Sequence, residues 1–261
     1  MPELPEVETV RRDLQRRVGG ALIGRVEVRD DRSLRGAPAA AFARSLRGRR
    51  LTGFARRGKY LLCSLSSGET LVIHLRMTGV LLHQPVRDPL PAMARIVFHL
   101  GGGRRLVFAD QRRFGSMELV RDPSSLPGIS TLGPEPLGRT FTAAALRDAL
   151  RARTGPVKAV LLDQRVVAGL GNIYVLEALH RAGISPRRKA CGLRQTETDR
   201  LHRSIVAVLR AAIAARGSSV DTYRDGQGKR GWFQVKHRVY DRQGRACPRR
   251  GAADREEQRR G

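Results

Sequence analysis

Cysteine is scarce in this chain. Its three residues, Cys63, Cys191 and Cys247, are too few and too scattered for a disulfide framework, and Cys63 falls in an apolar run that reads as core. No stretch has the length and apolarity of a membrane-spanning helix, and the start is acidic and proline-punctuated where a secretory signal would be basic and apolar. The expected compartment is therefore the cytoplasm. Acidic residues are outnumbered, 24 against 50 basic ones, and the resulting formal charge of +26 predicts a polyanionic partner, nucleic acid first. Lysine is rarer still: five of the 50 cations, at 59, 158, 189, 229 and 236, are lysines in a chain whose default cation is arginine. Each therefore marks a place where a compact or titratable amine could serve. With 261 residues, 41% of them hydrophobic, the chain can bury a sizeable core and form two modest domains.

Against this basic background the first residues, Met1-Pro2-Glu3-Leu4-Pro5-Glu6-Val7-Glu8-Thr9, gather three glutamates and two prolines. Removal of Met1, which a small second residue permits, would leave Pro2 as a secondary amine on a stiff ring. An α-amine titrates at about 7.7 to 8.0, against about 10.4 for lysine, so near neutrality roughly a quarter of it is unprotonated. Such an amine can attack a sugar aldehyde carbon and form an iminium, and a carboxylate beside it can move protons. The same residues also suit a plain helix start, with the prolines stiffening the lead-in and the glutamates favouring the positive end of the helix dipole.

From Glu6 to about Val18, residues Val7, Val10, Leu14 and Val18 recur at spacings of three and four, which predicts an amphipathic helix ending at Gly19-Gly20. Strand-length runs follow at 21–28, 50–54, 60–65, 70–75, 95–100, 104–108 and 116–120, and a two-layer β-sandwich closes them. Residues 122–139, with four prolines and three glycines, read as a linker. Beyond it the period becomes helical over 142–153, 156–167, 172–182 and 196–216. Ala168-Gly169-Leu170-Gly171-Asn172 feeds the third of these helices. It is either a plain tight turn or a cradle that holds a phosphate on backbone amides.

The opening words Pro-Glu-Leu-Pro-Glu-Val-Glu-Thr, followed by Arg11-Arg12, closely resemble the start of the formamidopyrimidine-DNA glycosylases, the bacterial MutM family. Gly171-Asn172-Ile173-Tyr174 resembles the helix-two-turn-helix signature of the same family. So do Arg57-Gly58-Lys59-Tyr60, His74-Leu75-Arg76-Met77-Thr78-Gly79, Asp110-Gln111-Arg112-Arg113-Phe114-Gly115 and the loop from Gly217 to Gly231 resemble family stretches, so that the match runs from Met1 to about residue 247. The resemblance implies an α+β chain, an N-terminal β-sandwich with an N-terminal helix followed by a helical helix-two-turn-helix domain. It implies a bifunctional DNA glycosylase and abasic-site lyase that excises oxidised purines, 8-oxoguanine and formamidopyrimidines, from duplex DNA. By the same resemblance Pro2 forms the Schiff base at C1′, Glu3 handles protons at the sugar, and β- and δ-elimination follow. Lys59 is implied as a catalytic-site residue on the phosphate beside the damaged nucleotide, and His74 and Asn172 as DNA contacts.

Met77, Arg112 and Phe114 are implied to enter the duplex, Arg112 facing the orphaned cytosine and Phe114 wedging between bases. Extruding a nucleotide costs a few kcal/mol of unstacking, and such a wedge with an arginine in the vacated space offsets part of it. On residue type alone, Met77 and Phe114 would be core and Lys59 a solvated strand-end cation. Lys158, in Gly155-Pro156-Val157-Lys158, sits in the first turn of its helix, where a cation is slightly unfavourable; that misplacement supports a role in the lesion pocket or on a phosphate. Glu6, Ser218, Ser219 and Tyr223 are implied to line a lesion pocket beneath the 217–231 loop.

The end of the chain departs from the family. Cys247-Pro248-Arg249-Arg250 keeps the first cysteine of a four-cysteine zinc ribbon, puts arginine where the second would stand, and no cysteine follows. A structural zinc site wants four ligands, so no metal and no other cofactor are expected. The tail 249–261 carries nothing apolar larger than alanine and is expected to be disordered, like a truncated or frame-shifted end. The expected partition is a catalytic β-sandwich at 2–121, a linker at 122–139, a helix-two-turn-helix DNA-binding domain at 140–235 and a degenerate ribbon remnant at 236–261. The expected partner is double-stranded DNA with oxidised bases or abasic sites, bound by a monomer at the nucleoid, away from membranes.

Three other readings stand beside this one. An endonuclease VIII-like enzyme would act on oxidised pyrimidines, but Pro-Glu-Leu-Pro-Glu and the Met-Arg-Phe trio favour the purine enzyme. A catalytically impaired damage binder would show salt-sensitive affinity without strand scission. An arginine-rich RNA-binding protein would account for the charge but not for the motifs.

Overall fold

The three-and-four spacing near the N-terminus becomes α1 (Leu4–Val18), which buries Leu4, Val7, Val10, Leu14 and Val18. Gly19-Gly20 ends it, Gly20 in the left-handed region at φ +82°. There follow β1 (Ile23–Val28), the short β2 (Leu34–Arg35), α2 (Ala39–Leu46), β3 (Leu51–Arg57), β4 (Tyr60–Leu65), β5 (Thr70–His74), β6 (Gly79–Pro85), β7 (Ala94–Leu100), β8 (Arg104–Asp110) and β9 (Ser116–Val120). They form a four-stranded sheet ordered β1-β7-β8-β6 and a five-stranded sheet ordered β2-β9-β5-β4-β3. All pairings are antiparallel except β2 with β9. One core holds residues of both sheets, among them Ile23, Phe54, Leu61, Ile73, Leu81, Phe98, Phe108 and Met117, together with Val7, Val10 and Leu14 of α1 and Phe42 and Leu46 of α2.

This sandwich was expected; β6 and α2 were not. α2 offers only Phe42 and Leu46 to the interior, and β6 runs into Pro85, so neither shows a sustained apolar period. Residues 122–139 are also more ordered than a linker would be. They contain a 3₁₀ turn at Pro123–Ser125 and α3 (Pro127–Ser130), with Ile129 buried.

Beyond them come α4 (Ala143–Arg151), α5 (Val157–Leu162), α6 (Asn172–Ala182) and α7 (Gln195–Ala214). The Thr142 hydroxyl accepts the Ala145 N–H at 3.1 Å and caps α4. α5 stops short of the expected end at Val167 because Asp163 turns the chain, its carboxylate accepting the Arg165 amide at 3.0 Å. Gly183, left-handed at φ +67°, closes α6.

This computed structural model describes residues 1–220 and 223–247. Two compact units emerge, Met1–Ser130 with Ala215–Trp232, and Thr131–Ala214 with Phe233–Gly261. The division differs from the expected one at two places. The 217–231 loop, assigned by sequence to the helical domain, groups with the sandwich, because carboxylates of α1 hold it. Residues 236–247, expected as part of a degenerate ribbon remnant, group with the helical unit. There the Glu177 carboxylate of α6 accepts the amides of Arg238, Val239 and Tyr240 at 2.9–3.0 Å. The expectation of a disordered tail at 249–261 lies outside the described residues. Among the described residues no helix is long and apolar enough to cross a membrane.

Candidate active site

Pro2 and Glu3 lie immediately ahead of α1 and are buried, Glu3 to within 2% of complete. The Glu3 N–H donates to Glu6 Oε2 at 2.8 Å, and the other Glu6 oxygen accepts the Ser218 N–H at 2.7 Å. The Tyr223 hydroxyl donates to the Glu6 carbonyl at 3.4 Å. One side chain thus ties the N-terminus to the glycine-rich loop. Within that loop the Ser219 hydroxyl donates to the Tyr223 carbonyl and accepts the Gly231 N–H, both at 2.9 Å. Gly217 allows the close approach: it is left-handed at φ +81°, and a Cβ there would stand 2.7 Å from Glu6 Oε1. While Met1 remains, the Pro2 nitrogen is an amide and no nucleophile; Met1 is 40% exposed, open to excision.

Lys59 follows Gly58, left-handed at φ +55°, in the turn from β3 to β4, and is 8% exposed. Burial pushes its ammonium below the ordinary lysine range, while the charges of Glu3 and Glu6 pull it back. Glu3, Glu6, Lys59, Ser218, Ser219 and Tyr223 therefore belong to one neighbourhood.

His74 ends β5 with its ring edge-on to Tyr60, centroids 4.6 Å apart. Its Nδ1 accepts the Arg76 N–H at 3.0 Å, which assigns the ring proton to Nε2. Burial, and then the charges of Arg76 and Lys59, push the imidazole down to about 3. It is a neutral N–H donor throughout the physiological range.

Met77 and Phe114 are not core residues. They are 36% and 52% exposed, and the Arg112 guanidinium lies over the Phe114 ring, 4.8 Å from its centroid. Their two loops are joined through Asp110, which is 1% exposed. Asp110 accepts the Thr78 hydroxyl proton, the Arg112 N–H at 3.2 Å and the Gly115 N–H at 2.8 Å. Thr78 in turn accepts the Arg112 N–H at 3.0 Å. Two exposed apolar side chains and a cation are thus presented on loops that one buried carboxylate aligns.

In the helical unit, Lys158 is 9% exposed in the first turn of α5. Asn172 opens α6 behind Gly171, which has no side chain with which to cap it. Gln164 shapes the preceding turn: its carbonyl accepts the Gly169 N–H at 2.9 Å and its amide donates to the Leu170 carbonyl at 2.7 Å. This helix start offers backbone amides of the kind that hold a phosphate.

The sequence reading missed the carboxylates that position these loops: Asp13, Asp110, Glu177 and Asp225. One of them carried a signal. Glu6, Thr9 and Asp13 recur at helical spacing and form a polar seam on α1, all three buried. Cys247 Sγ stands 3.8 Å from His180 Nε2, and among the described residues no group of three or more potential ligands is gathered.

Comparison with known proteins bears on the whole chain. Residues 1–117 match the formamidopyrimidine-DNA glycosylase N-terminal domain family, and residues 132–224 match the formamidopyrimidine-DNA glycosylase H2TH domain family. The chain is 48% identical over 253 residues to the formamidopyrimidine-DNA glycosylase of Moorella thermoacetica, covering 96% of this chain and 92% of that one. With the formamidopyrimidine-DNA glycosylase of Azorhizobium caulinodans it shares 47% over 269 residues, 95% and 91% of the two chains. Among solved structures it is similar to the MutM (Fpg) protein of Thermus thermophilus, with a TM-score of 0.87, 41% identity and coverage of 97% and 92%. It is also similar to the Lactococcus lactis Fpg in complex with abasic-site DNA, with a TM-score of 0.89, 36% identity and coverage of 96% and 92%.

Proposed function

The chain belongs to the formamidopyrimidine-DNA glycosylase family, and from that premise we infer that Pro2, Glu3 and Lys59 carry its chemistry. It is a DNA glycosylase for oxidised purines with abasic-site lyase activity. The observation that carries the residue assignment is the burial of Glu3, Glu6 and Lys59 in one neighbourhood at the chain terminus, where Pro2 bears the only amine that Met1 excision creates.

After Met1 is removed, the Pro2 nitrogen attacks C1′ of the damaged nucleotide, and the N-glycosidic bond breaks with its electron pair leaving on the base, which takes up the proton that the Pro2 nitrogen gives up. Glu3 delivers a proton to the sugar ring oxygen, which opens the ring and leaves an iminium between C1′ and Pro2. The iminium acidifies C2′. Loss of that proton expels the 3′ phosphate, a second elimination expels the 5′ phosphate, and water frees Pro2. Lys59, buried beside the carboxylates, holds the phosphate flanking the lesion, and neutral His74 donates its Nε2–H to phosphate without adding charge.

Met77, Arg112 and Phe114 occupy the space the everted nucleotide leaves, while Lys158 and Asn172 of the helical unit contact DNA. Glu6, Ser218, Ser219 and Tyr223 receive the oxidised base. The partner is duplex DNA with an oxidised base or an abasic site, engaged by a monomer at the nucleoid. No step here is routed through a metal.

Borohydride trapping on a duplex carrying 8-oxoguanine opposite cytosine tests the assignment. The expected result is a covalent adduct that peptide mass spectrometry places on Pro2, with nicked product in the absence of borohydride. Met1 found intact in protein that still nicks the lesion strand would refute it.

A further inference from the structure

Two buried carboxylates share one cation at the base of the glycine-rich loop. Asp13 of α1 is 1% exposed and Asp225 of the loop is fully buried. One guanidinium serves both: Arg216 Nη2 donates to Asp13 Oδ2 at 2.5 Å and to Asp225 Oδ2 at 2.6 Å, and Arg216 Nε donates to the same Asp225 oxygen at 3.1 Å. The second Asp225 oxygen accepts the amides of Gln227 and Lys229, each at 2.9 Å. Beside it the Gly226 carbonyl accepts the His83 backbone N–H at 3.0 Å, pinning the returning limb to β6.

Arg216 immediately precedes Gly217, so its side chain joins the outgoing limb of the loop to the returning limb and both to α1. It does so from an uncomfortable backbone position, left-handed at φ +61°. A glycine would sit there more easily, so the side chain must be what holds the conformation in place. Arg16 Nη2 also donates to Asp13 Oδ1 at 2.9 Å, so removing Arg216 would leave Asp13 with that exposed partner alone and Asp225 buried with no cation, and would cut the tie between the loop and α1.

We propose that Arg216 is a positioning residue for recognition of the damaged base: its bridge between Asp13 and Asp225 sets the height at which Ser218, Ser219 and Tyr223 stand over that base. The inference rests on the assignment of those three residues to the lesion pocket. It separates the two activities of the enzyme. Excision of 8-oxoguanine requires the base to be held, whereas nicking at a preformed abasic site has no base to hold.

The test compares single-turnover rates on two duplexes, one with 8-oxoguanine opposite cytosine and one with a preformed abasic site, for the wild type, Arg216→Ala, Arg216→Lys and Asp13→Asn. A misplacement of about 1 Å at a recognition surface can cost on the order of 100-fold in rate. Arg216→Ala should therefore lose about 100-fold in excision while abasic nicking stays within about twofold. Arg216→Lys restores the charge but not a planar fork that can engage two carboxylates, so it should recover only part of the loss. Asp13→Asn removes one of the two charges and should fall between the wild type and Arg216→Ala.

Trp232, the single tryptophan of the chain, gives a readout independent of activity. It lies at the end of the loop, 65% exposed, its backbone N–H bound to the Ala215 carbonyl at 2.8 Å. Its fluorescence anisotropy decay should show greater local motion in Arg216→Ala. Equal loss on both duplexes, or no loss on either, in variants that melt cooperatively would overturn the proposal. If Arg216→Ala fails to fold, Arg216→Lys and Asp13→Asn are judged by the same ratio. A wild type that processes neither duplex would instead sink the assigned function, a distinct outcome.

Discussion

Lowering the pH from 7.5 to 5 should cost the wild-type protein about 2 kcal/mol more stability than it costs a His74→Asn variant. In an unfolded chain the imidazole titrates near 6.5. In the fold it is pushed down to about 3, by burial first and then by the charges of Arg76 and Lys59. Above pH 6.5 both states hold a neutral ring and pH has no leverage. Between 6.5 and 3 the unfolded state takes up a proton that the native state refuses, so stability falls by about 1.4 kcal/mol for each pH unit. At pH 5, roughly 1.5 units below the unfolded midpoint, the loss is about 2 kcal/mol, and below pH 3 it levels off. Because pH 5 lies well above the folded midpoint, the unfolded-state titration alone sets this figure.

Asparagine suits the comparison because its side-chain oxygen can accept the Arg76 N–H that Nδ1 accepts at 3.0 Å. All other titrating groups, His237 and His83 among them, are common to both proteins and cancel in the difference. Urea unfolding followed by circular dichroism at pH 7.5 and 5 yields the four free energies. The comparison uses the transition of the unit that contains His74. Equal pH dependence in the two proteins would refute the argument, since it would mean that the native imidazole accepts a proton as readily as the unfolded one. A functional corollary follows from the same neutral state. His74→Asn should weaken DNA binding without changing the slope of log affinity against log salt, because no counterion is released on its account.

Gly217→Ala places a Cβ 2.7 Å from Glu6 Oε1 at φ +81°, which costs roughly 1–2 kcal/mol for the left-handed conformation. The displaced carboxylate also gives up the charge-assisted Ser218 bond, worth about 1.5–3 kcal/mol. Excision of 8-oxoguanine should fall steeply in single-turnover assays, and undiminished excision would show that Glu6 and the loop need not meet. Phe114→Ala should leave the melting temperature nearly unchanged, because the ring is 52% exposed. It should weaken binding to a lesion duplex by about tenfold, within the range of about 1–3 kcal/mol per stacked base. Fluorescence anisotropy titrations check the latter, and a lowered melting temperature with unchanged affinity would return Phe114 to a structural role.

Much of the fold was legible because its elements repeat a simple period. α1, α6 and seven strands carry apolar residues at the spacing their geometry buries. α2 and β6 were not legible, since two apolar anchors or a strand ending in proline is too little pattern to separate from a loop. The expected end of α5 at Val167 failed because the apolar run continues past Asp163 while the backbone does not; the carboxylate competes for the next amides.

For the site, legibility followed chemistry that keeps residues together in sequence. Pro2-Glu3, Gly58-Lys59 and Arg112-Arg113-Phe114 are each local words. The residues that place those words in space were hidden. Asp13 sits among Arg11, Arg12, Arg16 and Arg17 and reads as one charge on a solvated face, yet it is 1% exposed. Its spacing with Glu6 and Thr9 points to burial, but its partner Arg216 lies about two hundred residues away, and no spacing rule reaches that far.

Those hidden residues share a physical logic. In a chain with 50 cations the 24 acids are the scarce resource, and seven of them, Glu3, Glu6, Asp13, Asp110, Glu177, Glu197 and Asp225, are buried among the described residues. A buried carboxylate must be compensated, and here the compensation is supplied by backbone amides and guanidinium groups of loops. Glu6 takes the amide of Ser218, Asp110 those of Arg112 and Gly115, Glu177 those of Arg238, Val239 and Tyr240, and Asp225 those of Gln227 and Lys229. Anchoring loops in this way has two effects at once. It fixes the segments that carry Met77, Arg112, Phe114, Ser218 and Tyr223 without lengthening any strand, and it withdraws negative charge from a surface that must meet a polyanion. A neutral anchor such as asparagine would accept fewer and weaker bonds, and an exposed carboxylate would repel phosphate. The excess positive charge outside and the acids buried inside are therefore one arrangement, which anchors the loops on polar bonds while the core between the sheets stays apolar.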